Sequence, residues 1–392
     1  MPKILLLNAG SSSVKWKLFE IDNEAVVAKG LVERMLTPEA KWEISYGKES
    51  AQETIPNLTY EQAAQLIITK LQELEITSLA DIKAVGHRVV AGGHTFKQAT
   101  LVDEEALDQI KQLSSHAPLH NPMEAKYIEL MQAVMPKTPQ YAVFDSRFFT
   151  DMPEVNSIYS LPYELTEKYG LRKYGEHGIS HTYISKRAAT LLGKDLADLK
   201  MITLHLGSGS SVAALKDGKA YDTSMGFTPL TGLTMGTRAG DLDPALVPFL
   251  MAELNLDAKQ VLELFNSKSG LLGLSGLSAD MRDIDKAIAA GNKRAELALE
   301  IFINRVVKYV GSFYAELGGL DVLVFAGGIG ENNRALRQKI AQKLACLGIV
   351  IDANLNQELT EGVISPADAK VTTLVVPTNE ELAMVQEIKA VM

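Results

Sequence analysis

The sequence predicts an α/β protein of two domains, and three observations carry that reading. Strands alternate with helices in both halves of the chain. At 392 residues the chain exceeds what one hydrophobic core usually supports, so two domains are expected, with a third within range. One turn also recurs half a chain apart. Leu5-Leu-Leu-Asn-Ala-Gly-Ser-Ser-Ser-Val-Lys15 and Thr203-Leu-His-Leu-Gly-Ser-Gly-Ser-Ser-Val-Ala213 each run an apolar strand into Gly and Ser and out as a second strand. Small residues there let backbone N–H groups approach an anion, and the hydroxyls add donors, so the turn suits phosphate. Either turn alone reads equally well as an ordinary hairpin, in which Gly and Ser serve conformation only. Two of them are harder to explain that way.

Composition narrows the function classes. Hydrophobic residues make up 46% and charged residues 22%, ordinary for a globular protein with ample core. A net charge of −9 without a Lys/Arg run argues against nucleic acid as a partner. The single cysteine, Cys346, excludes an intrachain disulfide and a Cys-based zinc cluster, and fits a reducing compartment. The apolar run in Met1-Pro-Lys-Ile-Leu-Leu-Leu-Asn8 is too short for a signal-peptide core. No stretch approaches the roughly 20 apolar residues of a membrane span. The expectation is a cytoplasmic protein with no membrane partner.

In the first half, Ile4–Leu7 and Val14–Ile21 flank the first turn, the second with the alternation of a half-buried strand, and 26–32 and 41–46 extend the sheet. Residues 60–74 place Ala64, Ile67, Ile68 and Leu71 at helical spacing, a packing face. Residues 82–90 read as a buried strand carrying His87 and Arg88 into Ala91-Gly-Gly93. Asp103 caps a helix through Leu113, and Asn121-Pro122 reads as N-cap and first position of the next. Residues 140–144 form a short buried strand with Asp145 at its carboxyl end, where open α/β sheets gather ligands.

The second half begins near Pro153. Glu176-His-Gly-Ile-Ser-His181 leads a helix through Leu192, and 201–206 is the strand entering the second turn. Residues 223–241 are too rich in Gly, Thr and Pro for a regular element and too long for a passive connection, so a functional loop is expected. Asp243-Pro244 opens a helix by the logic of Asn121-Pro122. A long buried helix over 293–317 feeds strand 322–325 and a Gly turn, Gly327–Asn332. After strand 374–376, Thr378 and Glu381 match a capping box opening the last helix.

None of the three Gly-rich turns fits a P-loop or a full Gly-x-Gly-x-x-Gly, which separates the chain from both of those nucleotide folds. Arg88 ends a strand and Arg238 lies in the long loop, positions suited to gripping a carboxylate or phosphoryl oxygen with a planar fork, or to pairing a structural carboxylate. His177, in a polar turn, could donate to developing negative charge or simply bond backbone. Asp145 could hold magnesium, orient a nucleophile, accept a proton, or cap its own turn. Glu380 in a first helical turn is favoured by the macrodipole alone, and Asn8 could merely shape its hairpin.

Taken in order, Asn8-Ala-Gly-Ser-Ser-Ser-Val-Lys15, Gly86-His-Arg-Val-Val90, Pro118-Leu-His-Asn-Pro122, Val143-Phe-Asp145, Tyr174-Gly-x-His-Gly178, His205-Leu-Gly-x-Gly-Ser-Ser211, Asp222-Thr-Ser-Met-Gly-Phe-Thr-Pro229, Met235-Gly-Thr-Arg238, Gly327-Gly-Ile-Gly-Glu-Asn332 and Pro377-Thr-Asn-Glu-Glu381 resemble the motifs of the acetate kinase family over nearly the whole chain. The resemblance implies two duplicated ribonuclease H-like, or actin-like ATPase, domains flanking a nucleotide cleft. It implies a first domain over 1–150 joined by a C-terminal helix over 380–392. A second domain over 151–379 would carry the nucleotide site and a homodimer interface. The implied reaction is reversible transfer of the ATP γ-phosphoryl group to acetate, giving acetyl phosphate and ADP, with magnesium or, in its place, manganese. Acetate is already ionised at neutral pH, so catalysis would rest on alignment and charge stabilisation rather than a strong base.

Carried over position by position, Arg88 and Arg238 would hold the carboxylate and the transferring phosphoryl, His177 would stabilise the transition state, and Asp145 would orient the site. Asn8 and Glu380 match metal positions. Lys15, His205, Leu206, Gly207, Ser208 and Gly209 fall on the nucleotide side, with Asp280, Met281 and Arg282 and with Gly328, Ile329, Gly330, Glu331 and Asn332; Gly207–Ser211 would cradle the β- and γ-phosphates. Val90, Leu119 and Pro229 would line the methyl pocket. Four places depart from the family pattern: Glu176 stands for a Phe of the acyl pocket, Ser208 for an Asn, Ala91 for a His, and Arg147-Phe148-Phe149 for Ala-Phe-His. Alternatives are a kinase for propionate, butyrate or another short carboxylate, a sugar or polyol kinase using Asp145 as base, and a nucleotide-binding protein without catalysis.

Overall fold

The computed structural model describes residues 1–115, 117 and 120–392, and its chain separates into two compact units. The first comprises Met1–Thr150 with Asn379–Met392, the second Asp151–Thr378. Leu119, expected in the methyl pocket, lies outside the described residues, as do His116 and Pro118.

In the first unit, β1 (Lys3–Ala9), β2 (Ser13–Glu20), β3 (Val26–Glu33), β4 (Lys41–Tyr46), β5 (Glu49–Thr54), β6 (Ile82–Val89), β7 (Thr100–Leu101) and β8 (Gln140–Phe144) form one sheet in the order β5-β4-β3-β2-β1-β6-β8-β7. In the second, β9 (Met201–Leu206), β10 (Ser210–Lys216), β11 (Lys219–Thr223), β12 (Val322–Ala326), β13 (Gly362–Val363) and β14 (Thr372–Val375) run in the order β11-β10-β9-β12-β14-β13. The two share a plan. β1 pairs antiparallel with β2 and parallel with β6, and β6 pairs parallel with β8. Likewise β9 pairs antiparallel with β10 and parallel with β12, and β12 parallel with β14. Each Gly/Ser turn thus closes the hairpin whose first strand also starts the parallel half of its sheet.

Helices cover these sheets because their apolar stripes need burial. Helix Tyr60–Glu73 turns Ala63, Ala64, Ile67, Ile68 and Leu71 into the core of the first unit, and its N-terminus is held by a capping box between Thr59 and Gln62. Helix Lys293–Glu316 buries Ala295, Ala298, Leu299, Phe302, Ile303, Val306, Val310 and Phe313 against the second sheet. The last helix, Glu380–Lys389, belongs to the first unit: Ile388 sits where a Cβ at Gly86 would collide with it, and Arg147 pairs with Glu387 at 2.5 Å. The Arg147 departure is thereby accounted for as an anchor of that helix, and Phe149 is buried in contact with the Phe148 ring.

Several local expectations are corrected. Asn121 is not an N-cap: the helix Asn121–Val134 has His120 at the cap, and the Asn121 amide instead bonds both backbone groups of Ala91, at 3.0 and 2.9 Å. Asp243 caps only a turn, bonding Ala245 N, and the helix begins at Leu246. The last helix is capped by Asn379, not Thr378, because the Thr378 hydroxyl is engaged by Ser180 at 2.7 Å. Gly327–Asn332 is a short helix rather than an open turn. Strands β5, β7, β11 and β13 carried no recognisable apolar alternation: β5 exposes nearly every side chain, and β7 and β13 are two residues each.

Candidate active site

In the first unit the chemistry gathers at the carboxyl ends of the parallel strands. Register sets Arg88 on β6 beside Val143 on β8, and Asp145 follows two residues later. The Arg88 guanidinium donates to Asp145 Oδ2 from Nε at 3.0 Å and from Nη2 at 2.6 Å, and its Nη1 stands 3.7 Å from Glu380 Oε2. Burial opposes its charge, but Asp145 and Glu380 outweigh that and raise the Arg88 pKa above its ordinary value. Asn8, Lys15, Arg88 and Glu380 line one cavity of about 260 Å³, together with Lys17, which pairs Glu381 at 3.0 Å. Val90 is buried just beyond Arg88.

The turn after β6 is held by its own backbone donors. Val90 N donates to Glu124 Oε2, Ala91 N to Asn121 Oδ1 and Gly92 N to Ser146 Oγ, at 3.0, 3.0 and 2.9 Å. Three successive amides taken by buried side chains fix the backbone that carries Arg88 and Val90. The sequence reading missed Glu124 and Ser146. The Asn121-x-x-Glu124 spacing, which puts both on one helix face, was the available signal.

In the second unit the Gly/Ser hairpin meets a cluster of imidazoles. Thr203 and His205 project from one face of β9, Ser211 lies opposite His205 across the ladder, and His177 and His181 stand one helical turn apart. His177 occupies the left-handed region at φ 60°, a strained conformation for a residue with a side chain. Its Nδ1 lies 2.9 Å from Ser211 Oγ, and its ring stacks on His205 with centroids 4.3 Å apart. A Cβ added to Gly209 would lie 3.2 Å from His177 Nε2 and 3.8 Å from Arg238 Nη1, so both side chains converge on the turn and a larger residue there would press on the imidazole. Arg238 bonds the Pro229 carbonyl at 3.3 Å and makes no salt bridge among the described residues. Burial holds His181 well below its ordinary pKa, so it is neutral. His181 and the Thr203 hydroxyl that it contacts were not singled out from sequence, and Ser211, expected in the phosphate cradle, turns its hydroxyl to His177 and His181; the spacing of those two histidines was the available signal.

A second cavity, of about 680 Å³, is lined by Gly207, Ser208, Asp280, Met281, Arg282, Gly328, Ile329 and Asn332, with Asp285, Asn333 and Arg334 added by the structure. Asp280 caps helix Met281–Ala289 and pairs the exposed Arg282, whose guanidinium holds the Asp280 carboxyl down at about 2. Gly330 and Glu331 do not line this cavity. The Glu331 carboxylate accepts from Gly327 N and Thr378 N, both at 2.9 Å, and the fully buried Arg337 bonds the Gly330 and Glu331 carbonyls. Leu206 is buried beneath the turn. The Ser208 side chain is exposed while its carbonyl accepts from Gly236 N at 3.0 Å. The loop 223–241 is pinned by Tyr159, whose hydroxyl accepts from Phe227 N, and by Asp241, which accepts from Gly232 N and Tyr309.

The model of the acetokinase family matches residues 3–386. The chain belongs to the acetokinase family. Acetate kinases of Lacticaseibacillus paracasei and Limosilactobacillus fermentum are 50% and 49% identical to it, the first over 100% of both chains, the second over 99% of this chain and 98% of its own. The crystal structure of Porphyromonas gingivalis acetate kinase superposes with a TM-score of 0.94 at 41% identity over 100% of both chains. That of a propionate kinase from Francisella tularensis superposes equally well, at 0.94 and 40% over 99% of both. The acetokinase fold is the two-domain actin-like ATPase fold, in accord with the duplicated sheet plan.

No group of three His, Cys, Asp or Glu side chains is spaced to hold a metal among the described residues. Magnesium needs none, since it is usually held by one or two carboxylates with waters and substrate phosphates. Asn8 and Glu380 on one cavity, with Asp145 across Arg88 from Glu380, offer the hard oxygen donors that suit it. No described helix is long and apolar enough to cross a membrane.

Proposed function

We propose that this acetokinase transfers the γ-phosphoryl group of ATP reversibly to acetate, giving acetyl phosphate and ADP. One observation carries the choice of a carboxylate over a hydroxyl acceptor: Asp145 Oδ2 already accepts two charged hydrogen bonds from Arg88. A carboxylate so engaged is poorly placed to strip a proton from a sugar hydroxyl, whereas an ionised acid needs no base and is drawn to the cation.

In this reading Arg88 pairs with the acceptor carboxylate, held in direction by Asp145, and the fixed 90–92 backbone keeps Val90 against the acyl group. Gly207–Ser211 presents backbone donors to the nucleotide phosphates, and Arg238 and His177 donate to the transferring phosphoryl oxygens. Because these donors are set before reaction, they stabilise the charge of the transition state without reorganising. Asn8, Glu380 and Asp145 would hold magnesium, which supplies charge neutralisation on the phosphates. Homodimer formation is proposed through helix Leu246–Leu254, an apolar helix with no buried residue that exposes 57% of Phe249.

Coupled ADP release against acetate, propionate and butyrate tests the reading, with a Glu176→Phe variant alongside. Highest kcat/KM with acetate is expected. A clear preference for propionate would move the chain to the second reading, which the Francisella tularensis neighbour favours. Absence of an acyl phosphate product with every acid overturns both.

A further inference from the structure

Four side chains behind the second Gly/Ser turn form one uninterrupted string. His177 Nδ1 lies 2.9 Å from Ser211 Oγ, Ser211 Oγ lies 2.8 Å from His181 Nε2, and His181 Nδ1 lies 2.7 Å from Thr203 Oγ1. Ser211, His181 and Thr203 are completely buried. Each hydroxyl owns one proton, and so does neutral His181, which leaves two proton orders along the string. In the first, Thr203 donates to His181 Nδ1, His181 Nε2–H donates to Ser211, and Ser211 donates to His177 Nδ1. Every proton is then used. In the reverse order Thr203 accepts, and its own buried proton meets no acceptor in the hydrogen bonds of the described residues. Leaving a buried donor unsatisfied is the costly alternative.

The geometry points to Thr203, His181 and Ser211 as positioning residues that hold His177 in its Nε2–H tautomer, so that a neutral imidazole presents a donor rather than a lone pair to the phosphate turn. Nε2 is the nitrogen that faces Gly209 beside Arg238. An imidazole without this string would also populate the Nδ1–H form, which aims a lone pair at an anion. The His205 ring, stacked on His177 and bonded through Ser180 to Thr378, holds the plane of the ring while the string sets its protons. The inference rests on the proposed role of His177 at the transferring phosphoryl group.

The full-length protein labelled with ¹⁵N-histidine tests it by long-range ¹H–¹⁵N correlation at neutral pH, where His177 and His181 are expected as Nε2–H tautomers. Thr203→Val, which keeps the shape and removes the terminal donor, and Ser211→Ala, which cuts the link, are expected to bring the Nδ1–H form of His177 into the spectrum. Each lowers kcat about tenfold or more with KM for ATP within about twofold, since wrong-tautomer imidazoles lose proton-directed catalysis on this scale or beyond. Thr203→Ser keeps the wild-type spectrum and rate. An Nδ1–H His177 in the wild type overturns the string with no variant needed, and an unchanged rate despite mixed tautomers overturns the positioning role. Retained turnover in His177→Ala overturns instead the assignment of His177 to the reaction, so the two failures are read from different measurements.

Discussion

Arg88 and Arg238 carry the same charge in different settings, and this separates what their removal does. Arg88 is largely buried against Asp145 and near Glu380, whereas Arg238 bonds a carbonyl and a thioether and forms no salt bridge among the described residues. Arg238→Ala is expected to lower turnover by about 10³-fold or more, as for other arginines that stabilise phosphoryl transfer, with little change in thermal stability. Arg88→Ala should lower turnover comparably and also destabilise the fold by about 3 kcal/mol, because it strips a buried carboxylate of its cation. Steady-state rates and denaturation of the purified variants check both; near-normal turnover in either overturns that residue's assignment. At the same scale, the Glu176 departure falls between two left-handed residues, Gly175 and His177, with its side chain half-buried.

Among the elements, β6 shows how a strand can serve the site on one side and stability on the other. His87 points away from Arg88 into the sheet core, where its Nε2 meets Gln140 Oε1 at 2.8 Å and burial pushes its pKa down to about 4. Below about 6.5 the unfolded chain takes up a proton that the folded chain refuses until about 4. Stability is therefore complete above the unfolded value and is lost as pH falls toward 4, by up to about 3 kcal/mol from this group. Urea denaturation at neutral pH and near pH 4.5 should show that loss, and His87→Gln should show a shallower pH dependence than the wild type. An identical slope in the variant excludes His87 as its source.

For the whole molecule, the exposed apolar helix Leu246–Leu254 calls for a partner. Leu246, Phe249 and Leu254 are all exposed, as are Leu242 just before this helix and Leu262 on the next one. Helices apolar all round are normally buried, and a patch of this kind marks an interaction surface. Phe249→Glu is expected to shift the protein from dimer to monomer in sedimentation velocity at micromolar concentration. A wild-type monomer at that concentration, or a variant that stays dimeric, removes this helix as the interface.

The sequence by itself determined the parts ruled by local chemistry. Strands β4, β8 and β9 were legible to the residue from apolar runs between turns, and the two Gly/Ser hairpins pointed to the duplication that the paired sheets carry. Family motifs named Arg88, His177 and Arg238 as candidates. Tertiary structure decided which partners these side chains have. Asn121 reads as a helix cap because its neighbours look like a helix start, yet the two backbone groups of Ala91 compete for its amide and win. Thr378 reads as a cap and goes to Ser180 for the same reason. Thr203 and Ser211 lie on the two strands of one hairpin and His181 on a helix that precedes it, so the three become a string only when that helix packs over the β9–β10 ladder. A hydrogen bond is chosen by whichever group arrives at about 3 Å in the folded chain, and local pattern cannot list the competitors.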